Sequence, residues 1–232
     1  MKRVLVKLSG EALKGNSLTS FSQDVMTDIG HKIESLRAKG IQIAIVVGGG
    51  NIFRGKEESI SSLNRCQADQ MGMLATVING IALQSILTDL GIKTRVFSAL
   101  PLLGVCETFN QQAATEALDL GQVVICVGGS GNPYFTTDTA SVLRALELKC
   151  DGLMKATKVD GVYDCDPHHN KAAKRFDRLS YAQVKERNLK VMDATAISLA
   201  AEHNLPIMVF SLLEKNCFER VLSNQLTHTV IS

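Results

Sequence analysis

Residues 41–51 read IQIAIVVGGGN: seven residues, six of them apolar, pass directly into three glycines and an asparagine. A nearly continuous apolar run rich in β-branched residues suits a strand buried on both faces. Glycines at its carboxyl end suit a loop whose backbone must approach another group closely. The pattern recurs on either side. VVICV (residues 123–127) runs into GGSGNP (128–133), and VLV (residues 4–6) leads through Lys7 to Ser9-Gly10. Three strands thus end in polar or glycine-rich loops, and in open α/β sheets that edge is where ligands bind.

Helical periodicity fills the intervals. Val25, Ile29, Ile33 and Leu36 predict a helix over residues 21–39, which Gly40 stops. Met71, Leu74, Ile78 and Ile81 repeat the period toward Gly91, a face suited equally to a core and to an interface. Residues 111–120, 137–148, 193–203 and 215–223 read as further helices. Residues 93–97, 152–156 and 207–210 read as strands, 227–231 as a last edge strand, and 157–178 as polar and irregular. Alternating helices and continuously apolar strands predict an α/β chain, a three-layer αβα sandwich about a mainly parallel sheet. No repeat or linker interrupts it, and the one soft boundary lies near residue 150.

Composition narrows the class. A chain of 232 residues suits one large domain or two joined lobes. With 25 basic and 23 acidic side chains the net charge is +2, too small a field to hold nucleic acid or an anionic membrane. Aromatic content of 5% without Trp argues against a base-stacking single-strand binder. The opening MKRVLVKLSG lacks the apolar core of a signal peptide, and no transmembrane helix is expected. The six cysteines, Cys66, Cys106, Cys126, Cys150, Cys165 and Cys217, form no C-x-x-C pair and no zinc or disulfide spacing. They read as reduced structural thiols of a cytoplasmic protein.

Familiar nucleotide and hydrolase motifs fail. Residues 10–17, GEALKGNS, keep the Walker glycine spacing but carry Asn16 where a lysine is required. Tyr134 stands where a dinucleotide fingerprint needs its third glycine, and GGSGN (128–132) misses a nucleophile elbow by its last residue. His168-His169, after Asp166-Pro167, read as a solvated turn, and KAAKR (171–175) as an exposed basic loop. What remains is an anion site: bare glycine amides, helix N-termini, and the cations Lys7 and Arg54. A unit charge pair at 4 Å contributes about 4 kcal/mol at an effective dielectric near 20, enough for two cations to hold a phosphate. Three carboxylates have two readings each. Asp69 and Asp193 fit helix N-caps, and Asp138 a first-turn acid, as well as functional roles.

The motifs VKLSGEAL (6–13), VVGGGNIFRG (46–55), DQMGMLATVINGIAL (69–83), GSGNPYFTTDTA (129–140), MKATKVDGVYDCDP (154–167) and LKVMDATAISLA (189–200) resemble those of bacterial uridylate (UMP) kinases. These belong to the amino-acid kinase fold and are unrelated to P-loop nucleoside monophosphate kinases. The resemblance spans nearly the whole chain. It implies one amino-acid kinase domain, with residues 1–150 mainly binding UMP and 151–232 mainly binding ATP. It further implies direct in-line transfer of the ATP γ-phosphoryl group to UMP, giving UDP and ADP in pyrimidine nucleotide synthesis.

By the same resemblance Lys7, Asp138 and Asp193 are catalytic, with Asp138 orienting Lys7. Lys7, Leu8, Ser9, Gly10, Gly50 and Arg54 border the ATP phosphates, and Thr157, Tyr163 and Asp166 the adenosine. Gly49, Arg54 and Asp69 face UMP, and Ser130, Gly131, Asn132, Pro133, Tyr134, Phe135, Thr136 and Thr137 wrap its uracil. Mg²⁺ is expected mainly through the ATP phosphates with few direct protein ligands, Asp193 having a catalytic or Mg-linked role, UTP as a feedback inhibitor, and a homohexamer as the assembly. Residues 15–20, GNSLTS, depart from the glycine-rich segment associated with GTP activation in some members, so the resemblance carries no expectation of that control. Two alternatives stay open on the residues alone: a kinase of the same fold with a carboxylate acceptor, and a non-catalytic oxyanion-binding protein.

Overall fold

The computed structural model describes residues 1–15, 17–54, 62–167, 169–170 and 172–232. The readings that rest on Asn16, His168 and Lys171 lie outside the described residues. In chain order the elements are β1 (Arg3–Leu8), α1 (Gly10–Lys14), α2 (Gln23–Ala38), β2 (Gln42–Val47), α3 (Arg65–Asp89), β3 (Thr94–Ser98), β4 (Glu107–Thr108), α4 (Gln111–Asp119), β5 (Val123–Val127) and α5 (Thr137–Glu147). There follow β6 (Gly152–Thr157), β7 (Val162–Tyr163), β8 (Arg175–Phe176), β9 (Arg178–Leu179), α6 (Tyr181–Glu186), α7 (Ala194–Glu202), β10 (Ile207–Ser211), α8 (Cys217–Leu222) and β11 (His228–Ile231).

Nine of these strands form one sheet in the order β4-β3-β5-β2-β1-β6-β10-β11-β9, parallel throughout except where β11 turns back along β10. Apolar side chains alternate between its two faces because successive strand residues point oppositely. Val4, Val6 and Leu8 of β1 enter a core with Ile29 and Ile33 of α2, Leu83 of α3 and Phe218 of α8. Leu5 enters the opposite core, with Ala117 of α4, Val142 of α5 and Ile197 of α7. Lys7, two residues after Leu5, is therefore directed to the α5 face, and Lys155, two after Leu153 of β6, to the same face. Fully buried Phe97, Phe210 and Phe218 each contribute about 1.5–3 kcal/mol by removal from water. The three-layer αβα architecture with a mainly parallel sheet is the one the alternation of elements predicts.

Several local expectations are corrected. Helix α3 starts at Arg65, capped by Asn64 in a reciprocal capping box with Gln67, so Asp69 is inside the helix and is not its N-cap. Met71, Leu74, Ile78 and Ile81 face outward, 38–49% exposed, while Met73, Val77, Leu83 and Leu87 carry the core contacts. By length and composition α3 could cross a membrane, against expectation, yet half of its most apolar window is buried in the fold. Residues 157–178, expected to be irregular, hold a small antiparallel pair, β7 with β8, and the start of strand β9, all too short to show periodicity. Arg175, read as part of an exposed basic loop, is a half-buried β8 residue donating to the His228 carbonyl at 2.8 Å. Strand β11 is not the edge, because β9 pairs outside it.

Candidate active site

Lys7 and Lys155 are register partners on the adjacent parallel strands β1 and β6. Asp138, in the first turn of α5, lies across from both. Lys7 Nζ stands 2.9 Å from Asp138 Oδ1, and Lys155 Nζ donates to Asp138 Oδ2 at 2.8 Å. Oδ1 is buried and meets Lys7 as an ion pair without an aligned hydrogen bond. Lys155 also donates to the Val191 carbonyl at 2.5 Å. Burial pushes the Asp138 carboxyl upward, but the Lys7 and Lys155 charges outweigh it and the net shift is down. Burial pushes the Lys155 ammonium down; Asp138 opposes this and Lys7 adds to it, leaving Lys155 below the usual lysine range. Lys155 was missed in the sequence because a lone lysine in MKATK carries no spacing signal toward Lys7.

The glycine loops converge at the same sheet edge. Ser9 caps α1, accepting the Ala12 amide at 3.2 Å, while Leu8 is fully buried and lends the site only backbone: its carbonyl accepts the Gly48 amide at 2.9 Å. A Cβ at Gly10 would lie 2.4 Å from Asn51 Oδ1 and 2.7 Å from the Gly50 nitrogen, so only glycine lets the two loops touch. Arg54 Nε donates to the Gly50 carbonyl at 3.0 Å, and its Nη2 pairs with Glu11 Oε1 at 2.8 Å.

A cavity of about 640 Å³ opens beside them, walled by Gly49, Gly50, Arg54, Asp69, Thr76, Gly129 and Phe135 through Thr137. Asp69 accepts from Arg65 Nε at 2.8 and 2.9 Å and from the Tyr134 amide at 2.7 Å. The latter bond holds Tyr134 at φ 72°, a left-handed conformation costly for a bulky side chain. Residues 130–134 do not line this cavity: Ser130 and Asn132 close a local turn and Tyr134 is exposed. Phe135 is also largely exposed.

A second cavity, about 670 Å³, is walled by Lys155, Thr157, Tyr163, Asp166, Arg187 and Val191 among others. Thr157 Oγ1 donates to the Val159 carbonyl at 2.7 Å, Tyr163 Oη donates to Asp160 at 2.6 Å, and Asp166 stands 3.7 Å from His169. A third, about 580 Å³, shares Lys155 and adds Asp138, Met192 and Ala194. Asp193 is the N-cap of α7, accepting the Ala196 amide at 2.8 Å. Its carboxylate also accepts from Thr139 Oγ1 at 2.8 Å and from the Thr136 hydroxyl, tying α7 to the start of α5. The six cysteines are free; burial pushes the Cys126 and Cys150 thiols up to about 12 and Cys217 up to about 11. Cys165, expected to be structural, is exposed.

The model of the amino acid kinase family matches residues 2–211. The chain is 48% identical over 230 residues to the uridylate kinase of Anaplasma phagocytophilum, covering 99% of this chain and 94% of that one. It is 50% identical over 230 residues to the uridylate kinase of Magnetococcus marinus, covering 99% and 95%. The crystal structure of UMP kinase from Bacillus anthracis superposes with a TM-score of 0.96 at 40% identity, over 100% of this chain and 96% of that one. At this identity over the full length, matched by the fold, the chain belongs to the amino acid kinase family, within its uridylate kinase branch.

Proposed function

We infer that the chain transfers the γ-phosphoryl group of ATP to UMP, giving UDP and ADP. One observation carries the reading. The Lys7–Asp138–Lys155 cluster adjoins two cavities: Lys155 walls one, and Asp138 directly follows Thr137, which walls the other. Two ammonium groups around one carboxylate leave a net positive charge where a phosphoryl group would pass. Phosphoryl transfer relies on such positioning and charge stabilisation and needs no nucleophilic side chain.

On this reading Lys7 stabilises the transferring group, Asp138 orients both lysines, and Asp193 fixes the Thr136 end of the acceptor loop to α7. Gly49, Arg54, Asp69 and Phe135 through Thr137 hold UMP from the cavity wall, and residues 130–134, which lie outside that wall, wrap its uracil. Lys7 through Gly10, Gly50 and Arg54 hold the ATP phosphates, and Thr157, Tyr163 and Asp166 the adenosine. Residues 1–150 and 151–232 are then the acceptor and donor halves of one domain. The nine-stranded sheet runs through both halves, joined where β1 pairs with β6.

Mg²⁺ enters with ATP. Among the described residues no three His, Cys, Asp or Glu side chains group to hold an ion, Asp138 is engaged by two lysines, and Asp193 by Thr136, Thr139 and the Ala196 amide. That donor set suits a cation held by phosphate oxygens and water. When bound it neutralises charge on the β- and γ-phosphates. The exposed stripe Met71, Leu74, Ile78 and Ile81 suits an interface of a homo-oligomer, read as the hexamer. The free thiols suit the cytoplasm. UTP is the expected feedback inhibitor, and initial rates with and without GTP test whether residues 15–20 permit activation.

The deciding assay follows ADP release with UMP, CMP, dCMP, glutamate or aspartate as acceptor. UMP-dependent release is expected, and its absence would sink the reading. Lys7→Ala should lower kcat about 10²-fold or more. A raised KM at unchanged kcat would reassign Lys7 to binding.

A further inference from the structure

Two polar side chains on the buried face of α3 take no part in the roles above. Thr76 and Asn79 are 2% and 0% exposed, and three residues apart they share one helix face. Each reaches the loop after a different strand. Asn79 Nδ2 donates to the Gly48 carbonyl at 2.6 Å and to Asn51 Oδ1 at 2.7 Å. Asn51 Nδ2 returns a bond to Asn79 Oδ1 at 3.0 Å and reaches the Ser20 carbonyl at 2.8 Å. The two amides thus form a reciprocal pair with all four of their hydrogens engaged. Thr76 Oγ1 accepts the Gly128 amide at 2.8 Å and donates to the Met73 carbonyl at 2.7 Å.

Gly48 follows β2 and Gly128 follows β5, and these strands are parallel neighbours. One turn of α3 therefore holds the starts of two adjacent loops. The fit is close. A Cβ at Gly49 would lie 2.8 Å from the Gly72 carbonyl, and one at Gly80 would lie 2.3 Å from Val127 Cγ1, so loop and strand end press on the helix itself. Burying a polar side chain costs free energy unless its hydrogen bonds are made, and a core helix satisfies its own backbone without Thr or Asn. Their presence on this face is explained by what they bond: the backbone of the loops that wall the 640 Å³ cavity, to which Thr76 itself belongs.

We propose that Thr76 and Asn79 are positioning residues that set the separation of loops 48–51 and 128–137, and through it the binding of the nucleoside monophosphate. The inference rests on the UMP kinase reading above.

Thr76→Val keeps the shape and removes both hydrogen bonds, so it carries the test; Asn79→Leu strands more buried groups and is used only if its circular dichroism and melting match a folded chain. Thr76→Val should raise KM for UMP at least fivefold, leave KM for ATP within twofold, and speed amide hydrogen exchange across residues 126–131 of the ligand-free protein. Thr76→Ser should restore the KM for UMP and the exchange rate. Equal shifts in both KM values of Thr76→Val, or no shift in either while the wild type phosphorylates UMP, would overturn the proposal. If the wild type shows no UMP-dependent ADP release, the functional reading falls by itself. Exchange at residues 126–131 then decides the tether, and unchanged exchange overturns it.

Discussion

Lys7 and Lys155 are side by side on β1 and β6, and each closes on its own oxygen of the Asp138 carboxylate, at 2.9 and 2.8 Å. Two ammonium groups on neighbouring strands would repel in a medium of low dielectric. The carboxylate between them makes the arrangement tenable and leaves one excess positive charge at the sheet edge. This is a charge state built for an anion that arrives and leaves.

Removing that carboxylate tests the arrangement. Asp138→Asn keeps the shape and leaves two buried ammonium groups without a counter-charge. Breaking a buried pair by removing one partner costs about 3–5 kcal/mol, and here two pairs break together. Denaturant melts should show a loss of at least that order, and kcat should fall about 10²-fold or more through misplacement of Lys7.

The pH profile gives an independent reading. Lys155 lies below the ordinary lysine value, burial being the main cause, so kcat should decline on the alkaline side before pH reaches about 10.4. Lys155→Arg, which stays charged, should move that alkaline limb upward even if kcat is lower throughout. In the same window the unfolded chain binds more protons than the folded one, so the cost of burying Lys155 shrinks as pH rises. The Asp138 carboxyl is shifted down, so its contribution to stability is complete above about pH 3.9 and is lost as pH falls below that value. Acid melts of wild type and Asp138→Asn should converge accordingly.

Arg54 separates function from stability. Its pair with Glu11 is partly exposed, and such pairs contribute about 0–1 kcal/mol. Arg54→Ala should leave the melting midpoint nearly unchanged and lower kcat/KM for UMP by tenfold or more. A large loss of stability with kinetics intact would show a structural residue instead.

The outward stripe of α3 predicts an assembly. Leu74 and Ile78 are 46% and 49% exposed, one turn apart on a helix whose other face is buried. Leu74→Glu with Ile78→Glu should reduce the mass measured by light scattering after size exclusion, without loss of helical circular dichroism. An unchanged mass would place the interface elsewhere.

The sequence by itself determined the long strands, the mainly parallel sense of the sheet and the glycine-rich loops at the carboxyl ends of its strands, because these follow from local chemistry: apolar strands, helical periods, and glycines at strand ends. It also carried the family motifs, which are contiguous and legible as text. Tertiary structure alone decided which faces and which distant residues meet. The apolar period at Met71, Leu74, Ile78 and Ile81 showed a helix but not that the stripe faces outward, since periodicity is blind to which side the sheet lies on. Asp69 looked like a cap until Asn64 was found capping five residues earlier. Lys155, Thr76 and Asn79 lie inside the family motifs, but nothing in their spacing pointed to the groups they meet. Their partners, Asp138, Gly128 and Gly48, lie 17, 52 and 31 residues away, and only the crossing of strands and helices brings them within hydrogen-bond reach.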